Sequence, residues 1–180
     1  MPINGLFTGT EAGTPTSHPL GAVSFDYAIE HISTLLGRSG ALGVRFHFNR
    51  PRPENPTALY AAACGENKDI LDSDDVSNDD YFKPDGTAVM ASRLPDIITS
   101  TAKPKAGACV FFSRALLDRY IQDPQVVALR LYVVGFGAQV VNATPPLSLV
   151  SVGVNSAGQP VGPFLLSEEP CPPNCPVDYP

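Results

Sequence analysis

Aligned with itself, the chain shows the same pattern twice, and this self-similarity limits its architecture more than any other feature. Gly21–Phe25 (GAVSF) matches Gly107–Phe111 (GACVF) at a spacing of 86, and Val44–Phe48 (VRFHF) matches Leu129–Val133 (LRLYV) at 85. Thr57–Leu71 (TALYAAACGENKDIL) matches Leu147–Val161 (LSLVSVGVNSAGQPV) at 90, so the second copy has about five extra residues in one loop. Ordered matches at near-constant spacing predict an internal duplication, with repeats over 21–71 and 107–161. In the first copy Ala28, Ile29, Ile32, Leu35 and Leu36 fall at helical spacing, and Gly37, Ser39 and Gly40 end the run. In the second, Leu116, Leu117, Tyr120 and Ile121 keep that register until Asp123-Pro124, because proline disfavours helix in the residue before it.

Strand periodicity follows each helix. Leu42, Val44, Phe46 and Phe48 alternate with Gly43, Arg45 and His47, as Val127, Leu129, Leu131 and Val133 alternate with Ala128, Arg130 and Tyr132. Each strand is expected to bury one face. A Pro-rich loop (49–56) or a longer one (134–146) leads to a second strand, and turns at Gly65-Glu66-Asn67 and at Asn155–Gly158 return a third. The expected fold is therefore α+β: two tandem copies of a short strand, a helix and an antiparallel meander, packed through their sheets or helices as one pseudo-symmetric domain. Each copy alone would have a marginal core. Residues 72–86, with five aspartates within nine positions, are expected to form an acidic linker, because Val76 occupies a ligand position that a calcium loop needs. Leu94, Ile97 and Ile98 suggest a short helix opening the second copy.

The sequence excludes more functions than it suggests. A net charge of −6, from 12 basic and 18 acidic side chains, argues against nucleic acid and anionic membranes as partners. Val126–Val141, the most apolar run, is interrupted by Arg130 and Gln139 and is too short to span a bilayer as a helix. The N-terminal residues lack the basic start and apolar stretch of an export signal, so a cytoplasmic setting is expected. No phosphate loop, dinucleotide fingerprint, nucleophile elbow or HExxH motif occurs, and no cofactor is expected.

Several residues are candidates for a site. Arg45 and Arg130 occupy equivalent mid-strand positions; across a pseudo-twofold axis their guanidiniums would form a fork for a carboxylate or phosphate. The simpler account has each on an exposed face beside an acidic neighbour. His47 and Tyr132 follow on the same faces, either as ligand groups or as a cross-strand packing pair. Arg50 and Arg52 add a basic spot in the Pro-rich loop. Cys64 and Cys109 sit in small or apolar contexts typical of inert buried thiols. His31 flanks a helix core rather than acting as a base, and His18 lies in a loop. In the tail (167–180) Cys171 and Cys175 bracket Pro-Pro-Asn, a spacing that permits a disulfide; no second close Cys/His pair supports a metal site.

The strings FFSRALLDRYI, ALRLYVV, SLVSVGVNSAGQPV and the tail PCPPNC together resemble a group of small uncharacterised proteins of Bacteroidetes. In that group a comparable helix precedes a strand with a central Arg and an aromatic residue, then a strand with an Asx-Gly turn and a Cys-Pro-Pro-x-Cys-like end. The resemblance covers mainly Met90–Cys175 and implies architecture but no catalytic residue. The expected function is a non-enzymatic protein-binding or structural module using Arg45, His47, Arg130, Tyr132, the Pro-rich loop or the tail. The alternative is an enzyme of unrecognised class with its site between the copies.

Overall fold

The computed structural model describes residues 24–49, 58–66, 71, 81–89, 109–135 and 147–171. The protein is α+β, with two helices and two antiparallel sheets. In chain order the elements are β1 (Ser24–Ala28), α1 (Ile29–Leu36), β2 (Gly43–Asn49), β3 (Ala58–Cys64), β4 (Tyr81–Phe82), β5 (Ala88–Val89), β6 (Cys109–Ser113), α2 (Arg114–Ile121), β7 (Ala128–Gly135), β8 (Leu147–Val154), β9 (Pro160–Leu166) and β10 (Glu168–Cys171). The first sheet has the order β1-β7-β8-β9, and the second β10-β6-β2-β3-β4-β5. Neither sheet comes from one stretch of chain. β1 leaves the residues that follow it and pairs with β7, while β6 pairs with β2. The expected copies therefore do not meet as two finished units, since each meander is joined along one side by a strand from the other half.

Strand alternation then assigns the faces. Val44 and Phe46 on β2, Val110 and Phe112 on β6, and Leu129, Leu131 and Val133 on β7 are buried in one cluster. Ile32, Leu35 and Leu36 from α1 and Leu117 and Tyr120 from α2 join that cluster, as their helical spacing predicts. Phe46 packs edge-on against both Tyr27 and Phe112, with ring centroids 5.5 and 5.8 Å away. Tyr27 ties the sheets together: its hydroxyl donates to Leu59 O at 2.8 Å and lies 3.3 Å from Phe82 O. Burial pushes its pKa well above the ordinary value, so it remains a donor.

Each helix starts directly from a strand without a side-chain cap. Instead the first helical N–H donates across the halves, Ile29 to Val127 O at 3.0 Å and Arg114 to Leu42 O at 2.7 Å. The Arg114 side chain closes the far end of α1: its guanidinium donates to Leu36 O and to Ala41 O. A cation over those last carbonyls also complements the helix dipole.

Four sequence expectations need correction. Among the described residues the third strand of the first meander is β4, Tyr81–Phe82, although Leu71 N–H, donating to Ala63 O at 3.0 Å, already brings the chain back beside β3. β4 lies inside the stretch expected to be linker, because Phe82 completes the core and the acidic residues beside it obscure that role. The hairpin after β4 closes through Gly86, at φ 80°, where an added Cβ would lie 2.5 Å from the His31 ring. Leu42 and Val127 are 49% and 46% exposed, since both precede the strands whose alternation they were assigned to. Finally, β2 is buried on both faces rather than one. The expected opening helix at 94–98 lies outside the described residues.

Replacing Tyr27 by Phe should destabilise the fold by about 1–2 kcal/mol, the usual cost of leaving a buried carbonyl without its donor. Urea denaturation of the two proteins, with the far-ultraviolet spectrum unchanged, checks this.

Candidate functional site

Arg45 and Arg130 are each the third residue of a strand and point away from the common core, but they lie in different sheets. They do not form a fork. Arg130 is bidentate on Asp26, Nε to Oδ1 at 2.8 Å and an Nη to Oδ2 at 2.7 Å, across the β1–β7 pair. The side chains are 25% and 45% exposed, and the carboxylate's hydrogen bonds raise the guanidinium pKa further. For Arg130 this is the simpler of the two sequence readings.

Arg45 differs. It is 1% exposed and lies between Ala62 on β3 and Phe111 on β6, with its Nε donating to His47 Nε2 at 3.0 Å. Tyr60, Ala62, Cys64, Cys109 and Phe111 on the same sheet face are buried as well. His47 is fully buried, and its pKa falls well below the ordinary value, first because burial penalises the charged ring and second because Arg45 is cationic. With Nε2 as acceptor, the neutral ring carries its hydrogen on Nδ1. Gly43 begins this face: an added Cβ would lie 2.4 Å from the Phe111 ring and from Phe112 O, so β6 approaches only because position 43 has no side chain.

Tyr132 packs its ring toward Phe164 at 6.4 Å, within a second buried cluster of Tyr132, Val150, Val152 and Val154. His31 stacks on Phe82, ring centroids 5.3 Å apart, on the flank of the core where its spacing placed it. Cys64 and Cys109 are buried. Cys171 lies opposite Cys109 in the β10–β6 register. Arg50, Arg52, Cys175 and His18 lie outside the described residues. Among the described residues, no three His, Cys, Asp or Glu side chains group as a metal site, and no helix is long and apolar enough to cross a membrane.

Sequence reasoning did not single out the outer side of β1. Ile29 N–H continues the β1–β7 register by donating to Val127 O, so Phe25 and Tyr27 direct their main-chain groups at β7. Alternation in an antiparallel ladder then turns the N–H groups of Ser24, Asp26 and Ala28 to the opposite, outer edge. The same construction on β6 turns Cys109, Phe111 and Ser113 outward, and there β10 pairs antiparallel while Glu168 Oε2 accepts from Ser113 N at 2.8 Å. Among the described residues no strand pairs with the corresponding edge of β1. The other sheet edges are poor templates. β9 contains Pro160 and Pro163, Gly162 at φ 79° and a register shift; β5 has two residues; β10 contains Pro170 and an irregular register. β1 has five residues and no proline or glycine. No signal in SFDYA distinguishes it, because edge status follows from where β7 lies. No protein family, curated protein or solved structure was found to match this chain.

Two predictions follow from the arginines and the histidine. Arg45→Ala should cost about 2–5 kcal/mol, as truncation of a fully buried long side chain does, whereas Arg130→Ala should cost about 1 kcal/mol or less, as for an exposed pair. Chemical denaturation of both variants ranks them. Because His47 is neutral when folded and titrates near 6.5 when unfolded, the unfolded chain binds the extra proton as pH falls. Stability is therefore lost below about pH 6.5, at about 1.4 kcal/mol per pH unit, down to the folded pKa. His47→Gln, which keeps an acceptor for Arg45, should remove that component in denaturation curves run at about pH 7.5 and about pH 5.5.

Proposed function

We propose that the protein is a non-enzymatic binding module, built from a doubled unit whose copies exchange their first strands, and that it binds a protein partner. The coincidence of registers supports the doubling. Adding 85 to Gly43–His47 and subtracting 85 from Cys109–Ser113 turns the five β2–β6 pairs into the five β1–β7 pairs. The same shift turns Arg114 N→Leu42 O into Ile29 N→Val127 O. A β2–β3 pair, Gly43 with Cys64, becomes Ala128 with Val154 on adding 85 and 90, the offsets found in the sequence. Kinship with the small Bacteroidetes proteins belongs to the same proposal and rests on the quoted strings alone.

The observation that carries the binding reading is that, among the described residues, no strand pairs with the outer edge of β1, while the three other sheet edges carry proline, irregular register or extreme shortness. Natural sheets protect such edges unless pairing is their purpose. The charged groups expected to hold a small ligand serve the scaffold instead: Arg130 holds Asp26, and Arg45 holds His47 inside a buried sheet face.

The test begins with the purified protein as bait in native lysate and continues with the captured partner, identified and purified. The two should reconstitute a stoichiometric complex in which the partner is recovered chemically unchanged. Turnover of the partner, seen as a mass change in the recovered molecule, would replace the binding module with an enzyme.

A further inference from the structure

We infer that Cys109 and Cys171 close a reversible cross-strand disulfide that fastens β10 to β6; this goes beyond the binding reading and does not depend on it. The two residues are direct partners in the antiparallel β6–β10 ladder. Arg114 N–H donates to Leu42 O and so marks the rows in which β6 bonds to β2. Val110 and Phe112 fall on those rows, and Cys109 turns its main-chain groups to β10 instead. Cys109 with Cys171 is therefore a hydrogen-bonded pair, whose Cα atoms stand about 5.5 Å apart in a regular ladder. A disulfide spans Cα separations of about 4.4–6.8 Å, most often about 5.5–6 Å. Residues directly opposite share a sheet face, and on this face Cys109 is buried.

The register of β10 is what brings this pair together. From Glu168, opposite Phe111, to Cys171, opposite Cys109, β10 takes three steps where β6 takes two. In unbroken register Pro170 would stand opposite Cys109, where a residue without an N–H cannot complete the pair. The extra residue passes the proline by and sets a cysteine there. Arg45 decides between disulfide and metal. Cys109 also stands opposite His47, which accepts from Arg45 Nε, and Arg45 lies opposite Phe111, two residues from Cys109. A metal cation held at this pair would sit beside a buried guanidinium, whereas a disulfide is neutral.

The bond forms by exchange with a small-molecule disulfide such as oxidised glutathione. The Cys171 thiolate attacks one glutathione sulfur and releases a glutathione thiolate, which takes up the proton that Cys171 gave. The Cys109 thiolate then attacks the Cys171 sulfur and releases the second glutathione, likewise with a proton. Two protein thiols lose two electrons, and one glutathione disulfide is reduced to two thiols. Cys171 is thereby committed to Cys109 rather than to Cys175.

The test uses the full chain, reduced with dithiothreitol and then oxidised without denaturant in a glutathione buffer. After an acid quench the remaining thiols are alkylated in urea, and the chain is digested with trypsin and a glutamate-specific protease. Residues 106–114 and 169–180 should be recovered as one cross-linked pair that dithiothreitol separates. Cys175→Ser should keep the cross-link and Cys171→Ser should abolish it. At one glutathione poise, the ratio of oxidised to reduced chain should be about tenfold or more higher in the native chain than in urea, because the ladder already holds the pair together. Alkylated Cys109 after oxidation, a bond between Cys171 and Cys175, or a cross-link that survives Cys171→Ser overturns the inference. So does a cross-link formed equally well in urea, since the ladder would then play no part.

Discussion

The pairing of β1 with β7, and of β6 with β2, is the interaction on which the other features depend. It places Tyr27 inside the core opposite Leu129, and Phe112 opposite Val44, so each half contributes an aromatic ring to the other's meander. The same ladders, extended by one step, satisfy the first N–H of each helix, which has no side-chain cap. Arg114 follows directly from β6 and is thereby delivered to the carbonyls at the end of α1. Remove the exchange, and three contacts of different kinds lose their geometry together: a core layer, the helix starts and a helix end.

Much of this was legible in the sequence because periodicity is local. Ile32, Leu35, Leu36, Leu117 and Tyr120 are buried where helical spacing put them, and Val44, Phe46, Leu129 and Leu131 where strand alternation put them. Strand partnership is not local, so the exchange could not be read. Matching Phe25 to Phe111, at a spacing of 86, aligned two similar residues that the structure sets on opposite faces. One residue is enough to reverse the faces: Phe25 packs on the core, and Phe111 lies beside Arg45 on the other side of its sheet. For the candidate residues, the strand face each occupies was legible and its surroundings were not. Alternation marks Arg45 and His47 as the outward set but does not reveal that their face is covered.

The two outer sheet faces also illustrate how the same strand position takes different chemistry. Arg130 meets a carboxylate and keeps water nearby; Arg45 meets an imidazole and has almost none. Burial of a permanently charged guanidinium is tolerated only with hydrogen-bonding partners, and a neutral imidazole nitrogen is one that adds no charge. Asp26 and Phe111, opposite these arginines, set the difference between the sheets: a wet ion pair in one, an aromatic wall in the other.

The exchange also orders events during synthesis. Ala28 and Ala128 are neighbours in space and a hundred residues apart along the chain. When β1 leaves the ribosome its partner has not yet been made, and β2 and β3 likewise wait for β6. Closing such long loops costs entropy before any contact rewards it, which slows folding and prolongs exposure of unpaired strands. The nascent first half therefore waits as an unfinished sheet until β6 emerges, and β1 stays unpaired until β7 follows.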